Sequence, residues 1–295
     1  MVENRTLRSR GDKVFDAFNV LLMIVLAILF VYPFWHCLAL SLGDDVYSRQ
    51  MGIRLLPIGH FSTANYYVVL RNKSLLLGYR NTLIRTISGT VISVLATYLS
   101  ATALARRNLK GKKLISWIFM LTLFLNAGLI PTFLAINSLK LTQTMWSLIL
   151  PGAVSAYNVM IARNFIATLP RDLEESALID GARPIRITFQ IMLPLSTPIL
   201  SVLTLWSAVG HWNAWFDAMI YNNQNPDLMV ISNVLRSMIA VEVYGSIDKL
   251  NELAEATQEA VKAAAIIFGT IPILCLYPVL QGGLTKGILI GAVKG

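Results

Sequence analysis

Apolar residues run through this chain in blocks long enough to cross a lipid bilayer, separated by polar segments. Six such blocks are read, over 18–42, 81–105, 114–136, 145–162, 199–221 and 263–280. A spanning helix needs about 20 mostly apolar residues, and the third, fourth and sixth blocks contain no Asp, Glu, Lys or Arg. Pro33, Pro131, Pro151 and Pro272 lie in or beside the blocks; prolines are tolerated in lipid where neighbouring helices satisfy the freed carbonyls. They blur boundaries rather than remove spans. The expectation is an all-α, polytopic membrane protein with six transmembrane helices.

Composition agrees. Of 295 residues 55% are hydrophobic and 14% charged, against about 25% charged in soluble domains, and mean hydropathy is +0.61. The first block follows Arg5, Arg8, Arg10 and Lys13, and Ala39-Leu40-Ser41 resembles a small-x-small cleavage site. Signal-peptide cores run only about 7–15 residues, so a retained helix is expected.

With the N-terminus inside, residues 1–17, 106–113, 163–198 and 281–295 fall in the cytoplasm. They carry 4, 5, 4 and 2 Lys and Arg residues, 15 of the chain's 25. The run from Arg106 to Lys113 weighs most, because short loops follow the positive-inside bias best. Both termini are therefore expected in the cytoplasm. The same distribution explains the net charge of +9 without nucleic acid, since no basic face interleaved with aromatics appears.

The outer loops differ. Residues 43–80 carry Arg49, Arg54, Arg71, Lys73 and Arg80, and residues 222–262 carry Asp227, Glu242, Asp248, Glu252, Glu255 and Glu259. A helix is expected over 247–262, with Glu252, Glu255 and Glu259 on one face, either solvated or contacting an external partner. Cys37 and Cys275 both fall within spans, which does not indicate a disulfide framework. His36, His60 and His211 are too scattered for a metal site.

The most informative segment runs from Leu169 to Ala182. Asp172 followed by Glu175 is a capping-box-like helix start, and Gly181 stands where a C-terminal cap belongs. A second helical stretch, 184–192, leads through Leu193-Pro194 into the fifth block. Two short helices with a sharp glycine bend exceed what a connection needs, and the loop is expected to be a docking surface.

The order Glu175-Ser176-Ala177, Gly181, Ile191 and Leu193-Pro194 resembles the EAA motif of binding-protein-dependent ABC importer permeases, with Ser176 as a small-for-small replacement. Gly128-Leu129-Ile130-Pro131-Thr132, Trp212-Asn213, Lys286-Gly287 and the ending 291–295 are similar to the sugar-permease branch that includes the maltose permease. The resemblance implies a type-1 transmembrane domain over 79–281, with coupling loop 163–198. It is preceded by 1–78 (cytoplasmic segment, first helix, first periplasmic loop) and followed by the tail 282–295.

In that family the motif helix seats in a cleft of the ATP-binding subunit. Glu174, Glu175, Ser176, Ala177, Asp180, Gly181, Leu193 and Pro194 are the implied coupling residues, with Glu175 meeting basic or amide groups and Gly181 allowing the bend. The chain has no Gly-x-x-x-x-Gly-Lys-Ser/Thr phosphate loop. It is therefore expected to bind no cofactor and to be no enzyme itself, ATP and magnesium belonging to partner subunits. The implied partners are a second, different permease, two ATP-binding subunits, an external solute-binding protein and an oligosaccharide, in the bacterial cytoplasmic membrane.

Charges within spans are costly and usually face protein or a water-filled path. Arg85 and Asp217 lie near the outer ends of their blocks, and snorkelling to the interface is expected for Arg85. The fifth block carries Trp206, His211, Trp212, Asn213, Trp215, Asp217 and Tyr221. Aromatic faces with hydrogen-bonding groups suit a sugar; an interfacial aromatic belt is the alternative. Arg85, Asn126, Trp212, Asn213, Asp217 and Tyr221 form the candidate substrate pathway. Relatives in this branch include permeases for uronates such as alginate fragments, and the basic outer loop and Arg85 suit an acidic substrate.

Two other classes compete. A secondary transporter would show paired intramembrane charges or helices broken in two halves, and neither is evident in the sequence. A membrane enzyme would need a catalytic cluster. Its nearest candidate, His211 with Asp217, is separated by about 600° on a continuous helix.

Overall fold

In a computed structural model the described residues are 10–49, 52, 55–58, 60–106, 108–125, 127–170, 172–240 and 257–292. They are almost entirely helical, and the β-structure among them is a single bridge between Gly43 and Phe61. The all-α expectation holds. The chain divides into two compact units, 1–71 with 242–268 and 72–241 with 269–295.

In the first unit α1 (Arg10–Ser41) runs without a break through Pro33, and Val14, Phe15, Ile24 and Phe34 on its several faces are all exposed. A helix apolar all round is what lipid or another protein covers. Its end is tied down by α3 (Ala64–Arg71), where the Asn65 amide donates to the carbonyls of Ser41 and Gly43 at 3.0 and 2.9 Å. Between them lies α2 (Asp45–Arg49). Asp44 caps it, accepting from the Tyr47 amide at 2.8 Å, and that bond holds the Asp44 carboxyl below its ordinary range. Of the basic outer-loop residues, Arg49 pairs with Asp45 at 3.0 Å and Arg71 lies over the Tyr67 ring.

The second unit is built on α4 (Lys73–Ala105). Its buried face is small and polar: Asn81, Thr82, Arg85, Gly89, Thr90, Ser93 and Thr97 point inward, while Ile84, Ile87, Val91, Leu95 and Leu99 are exposed. In lipid this polarity is sensible, since tails solvate leucine and close helix contact needs small side chains. Around α4 pack α7 (Ala156–Ala167), α10 (Thr197–Asn213) and α12 (Ile231–Ala240). The remaining helices are α5 (Lys112–Phe124), α6 (Leu129–Ser138), α8 (Asp172–Ile179), α9 (Pro184–Leu195), α11 (Phe216–Tyr221) and α13 (Gln258–Ala292).

Among the described residues the six blocks do not each form one continuous helix. Gly11–Ser41, Lys73–Ala105 and Gln258–Gly282 are long and apolar enough to cross alone, and a fourth arises if α9 and α10, bent by 80°, count as one. The third block breaks between α5 and α6, where Gly128 takes φ +85° and Pro131 cannot donate to the carbonyl four residues back. The fourth yields a 3₁₀ turn, Met145–Leu148, and then α7, restarted after Pro151-Gly152 by the cap Ser155. The fifth breaks at Ala214, where no Gly or Pro stands. Broken helices, taken as absent from the sequence, are thus present. The acidic residues Glu252 and Glu255 lie outside the described residues, as does Asn126.

Where α4 meets α10, a Cβ at Gly89 would lie 2.5 Å from Nε2 of His211, which is itself buried. Gly89→Ala is therefore expected to destabilise the protein by about 1–3 kcal/mol, read as a lower thermal midpoint in detergent. Adding His211→Ala should raise that midpoint above the single variant's.

Candidate functional site

Two places in the second unit gather the sequence-predicted residues, one at each end of α4. At the first, Arg85 does not snorkel. Its side chain is 3% exposed, because the helix carries it into the protein on the same face as Asn81 and Gly89. One guanidinium nitrogen donates to Asp217 Oδ1 at 3.1 Å and to the Ala214 carbonyl at 3.0 Å, and the other donates to Asp217 Oδ2. The fork thus satisfies a carboxylate and the carbonyl left free where α10 ends. Bidentate, charge-assisted bonds of this kind are the strong ones.

The helix break also voids the rotational argument separating His211 from Asp217. His211 packs on Gly89, whereas Asp217 turns to Arg85. The same end of α4 anchors the following loop. Asn81 donates to the carbonyls of Asp227 and Met229 at 2.6 and 3.0 Å, and Thr82 accepts from the Ile231 amide at 2.8 Å. These residues were missed, though the recurrence of Asn81, Thr82, Arg85, Gly89, Ser93 and Thr97 every three or four positions marks a polar helix face.

The aromatic residues of the fifth block are largely engaged with protein. Trp212 is buried, donates to the Gly269 carbonyl at 3.0 Å and meets Tyr79 edge to face. It borders an apolar groove of 290 Å³ with Thr86, Thr90, Thr204 and Pro272. Tyr221 is buried and stacks on Phe133. Arg236 lies 3.9 Å over Trp215. Asn213 is exposed, its amide donating to the Val209 carbonyl at 3.0 Å. Trp206 is also exposed, stacked on Tyr157.

At the other end lies the loop carrying Glu175-Ser176-Ala177. The helix starts at Asp172 with Asp172, Glu174 and Glu175 in its first turn, where the macrodipole favours negative charge. It ends as expected: Gly181 takes φ +79°, its amide bonds the Leu178 carbonyl at 3.0 Å, and the Ala182 amide bonds the Ala177 carbonyl at 2.9 Å. That pair of bonds is the Schellman cap.

Ala177 faces inward onto a cluster with Tyr98, Ile166, Ile187, Met192 and Leu203. A larger side chain there would lift α8 off the bundle. Leu193 packs against the same cluster, and Pro194 is exposed. Outward stand Glu175, Ser176 and Asp180 beside Leu178, Ile179 and Ile185, the last two 87% and 74% exposed. A groove of 350 Å³ lined by Arg106, Asn108, Glu174, Glu175, Leu178 and Pro184 runs along α8. Apolar side chains this exposed next to a groove mark a contact surface. Behind it, residues Ile187–Met192 of α9 form a π-helix, a distortion that is frequent at functional sites.

No group of three or more metal-ligating side chains occurs among the described residues. No protein-family model matches the chain. It is 34% identical over 299 residues to Protein LplC of Bacillus subtilis, covering 100% of both chains. It is also 34% identical to the polygalacturonan/rhamnogalacturonan transport system permease protein YtcP of that species, over 96% of this chain and 99% of the relative. Among solved structures, a chain of a bacterial ABC transporter involved in the import of the acidic polysaccharide alginate matches with TM-score 0.88 at 28% identity. That match covers 94% of this chain and 99% of the other.

Because its partner carboxylate holds a buried guanidinium, Asp217→Ala is expected to cost about 3–5 kcal/mol, seen as a lower thermal midpoint in detergent. The double variant Arg85→Met with Asp217→Leu should be markedly less harmed than Asp217→Ala, since it leaves no charge stranded.

Proposed function

Since this chain belongs to the sugar-permease family of ABC importers, we propose that it moves acidic, uronate-containing oligosaccharides inward across the bacterial cytoplasmic membrane. It acts as one of two different permease chains, receives sugar from an external binding protein, and is driven by two ATP-binding subunits that hold the ATP and magnesium. The transmembrane domain occupies 79–281. Both termini face the cytoplasm, an orientation that the basic 106–113 loop supports.

The observation that carries this reading is α8: a capped, acidic helix whose apolar residues Leu178 and Ile179 stand exposed. With Glu175 for the polar contact, Ser176 small enough for close seating and Ala177 holding the helix flat on the bundle, it fits a cleft on an ATP-binding subunit. Leu193 and Pro194 fix the approach of the loop to α10. ATP-driven closure of the two ATP-binding subunits carries the coupling helices together and switches the spans between inward-open and outward-open.

The choice of uronates rests on the names of two similar proteins, one a polygalacturonan/rhamnogalacturonan permease and one an alginate importer. Sugar passes along the face that carries Asn213, while Arg85, Asp217, Trp212 and Tyr221 form the wall behind it and hold its shape. Trp212→Ala is accordingly a folding variant, and Asn213→Ala is the better probe of transport.

In the complete complex reconstituted in liposomes, Glu175→Lys and Gly181→Pro are expected to leave the subunit inserted while substrate-stimulated ATP hydrolysis disappears. Proline cannot adopt the positive φ at Gly181. Normal stimulation in both variants overturns the coupling assignment. Galacturonate or alginate oligomers should stimulate hydrolysis where neutral oligosaccharides of equal length do not. Uptake through Asn213→Ala is expected to fall without loss of assembly.

A further inference from the structure

Arg106 caps the C-terminal end of α4, and its side chain reaches toward both parts of the loop. Its Nη2 donates to Thr188 Oγ1 at 3.3 Å, in the π-helical stretch of α9. Its Nε is buried and has no hydrogen-bond partner among the described residues. The carboxylate next to that Nε is Glu174 of α8, whose Oε1 stands 3.7 Å away. That distance is too long for a hydrogen bond. A pocket of 30 Å³ lined by Arg106, Glu174, Pro170 and Met192 lies beside the pair, which leaves the carboxylate room to close the gap. The α9 side of the contact is fixed, because the Tyr98 hydroxyl donates to the Thr188 carbonyl at 2.6 Å, and the α4 side is held by the Lys112 ammonium, which donates to the Arg106 carbonyl at 2.9 Å.

A buried donor left without an acceptor is costly, so any shift of α8 that brings Glu174 onto Nε is favoured, and any shift that withdraws it is opposed. Arg85 lies on α4 as well, about 30 Å from Arg106 at 1.5 Å per residue. There the Arg85 fork grips Asp217 and the carbonyl at the break of the fifth block. One helix is thus clamped by two arginines, to the docking loop and to the broken helix.

We propose that Arg106 is the positioning residue that passes displacement of the coupling helix into α4, by closing on Glu174 when α8 is pressed by its partner, and that α4 carries that displacement to the Arg85–Asp217 pair. This rests on the coupling role of α8 argued above. Arg106 touches neither nucleotide nor sugar; it sets how much α4 moves when α8 moves.

The test uses the whole importer in liposomes, reading ATP hydrolysed per sugar transported, with co-purification of the partner subunits checking assembly. Arg106→Ala is expected to raise that ratio about tenfold, Arg106→Lys less, since it keeps the charge without the fork. Thr188→Val should raise it modestly, as it removes only the Nη2 acceptor. The exchange of Arg106→Glu with Glu174→Arg should bring the ratio back well below either single variant. An unchanged ratio in assembled Arg106→Ala, or an exchange no better than its singles, overturns the proposal. Glu175→Lys separates the two ideas. If it uncouples while Arg106→Ala does not, only the role of Arg106 falls; if neither uncouples, the coupling reading of α8 falls with it.

Discussion

The polar face of α4, with Arg85 at its centre, is the constraint on which the second unit depends. In hydrocarbon a backbone carbonyl without a partner costs several kcal/mol, and the fifth apolar block frees such a carbonyl where α10 stops at Asn213. The Arg85 guanidinium, buried and bidentate to Asp217, supplies the missing donor at Ala214. Asn81 does the same for the carbonyls of Asp227 and Met229, and Thr82 supplies an acceptor for the Ile231 amide. A charge that would be prohibitive facing lipid becomes the group that permits an irregular backbone.

Small residues make those bonds reachable. Gly78 meets the backbone of Ile231, and Gly89 meets the His211 ring, so helices approach α4 closely enough for its short polar side chains to reach across. At the opposite end the same economy operates on the loop that carries α8. Ala177 lets α8 lie flat on Ile187 and Met192, and the left-handed Gly181 turns the chain sharply into α9. What remains outward is a carboxylate-bearing surface with uncovered leucine and isoleucine, suited to a protein partner rather than to water.

The family membership and the loop chemistry converge on one physical picture of an importer subunit: a lipid-facing shell of aliphatic residues around a polar-stitched helix, with a rigid contact element at one end. The chain's charges are consistent with this economy. Arg85 and Asp217 inside are paired with each other, Arg85 reaching backbone as well, and the acidic residues of α8 sit in its first turn, where the helix dipole supports them.

The amino-acid sequence alone determined the solvent, the helical class and the short loop helix with its glycine cap. These follow from local rules: block length, charge density, and the spacing of Asp172, Glu175 and Gly181. Only the tertiary structure decided which blocks stay whole. Pro33, Pro272 and Pro278 are carried within long helices, while the fifth block breaks at Ala214 without any proline or glycine, because the partner that compensates the break sits more than a hundred residues earlier at Arg85. The roles of Arg85, Trp212 and Tyr221 were likewise decided by packing. Distance along the chain hides such partners, since a hydrogen bond in lipid is judged by what lies across the helix interface and not by what lies next in sequence.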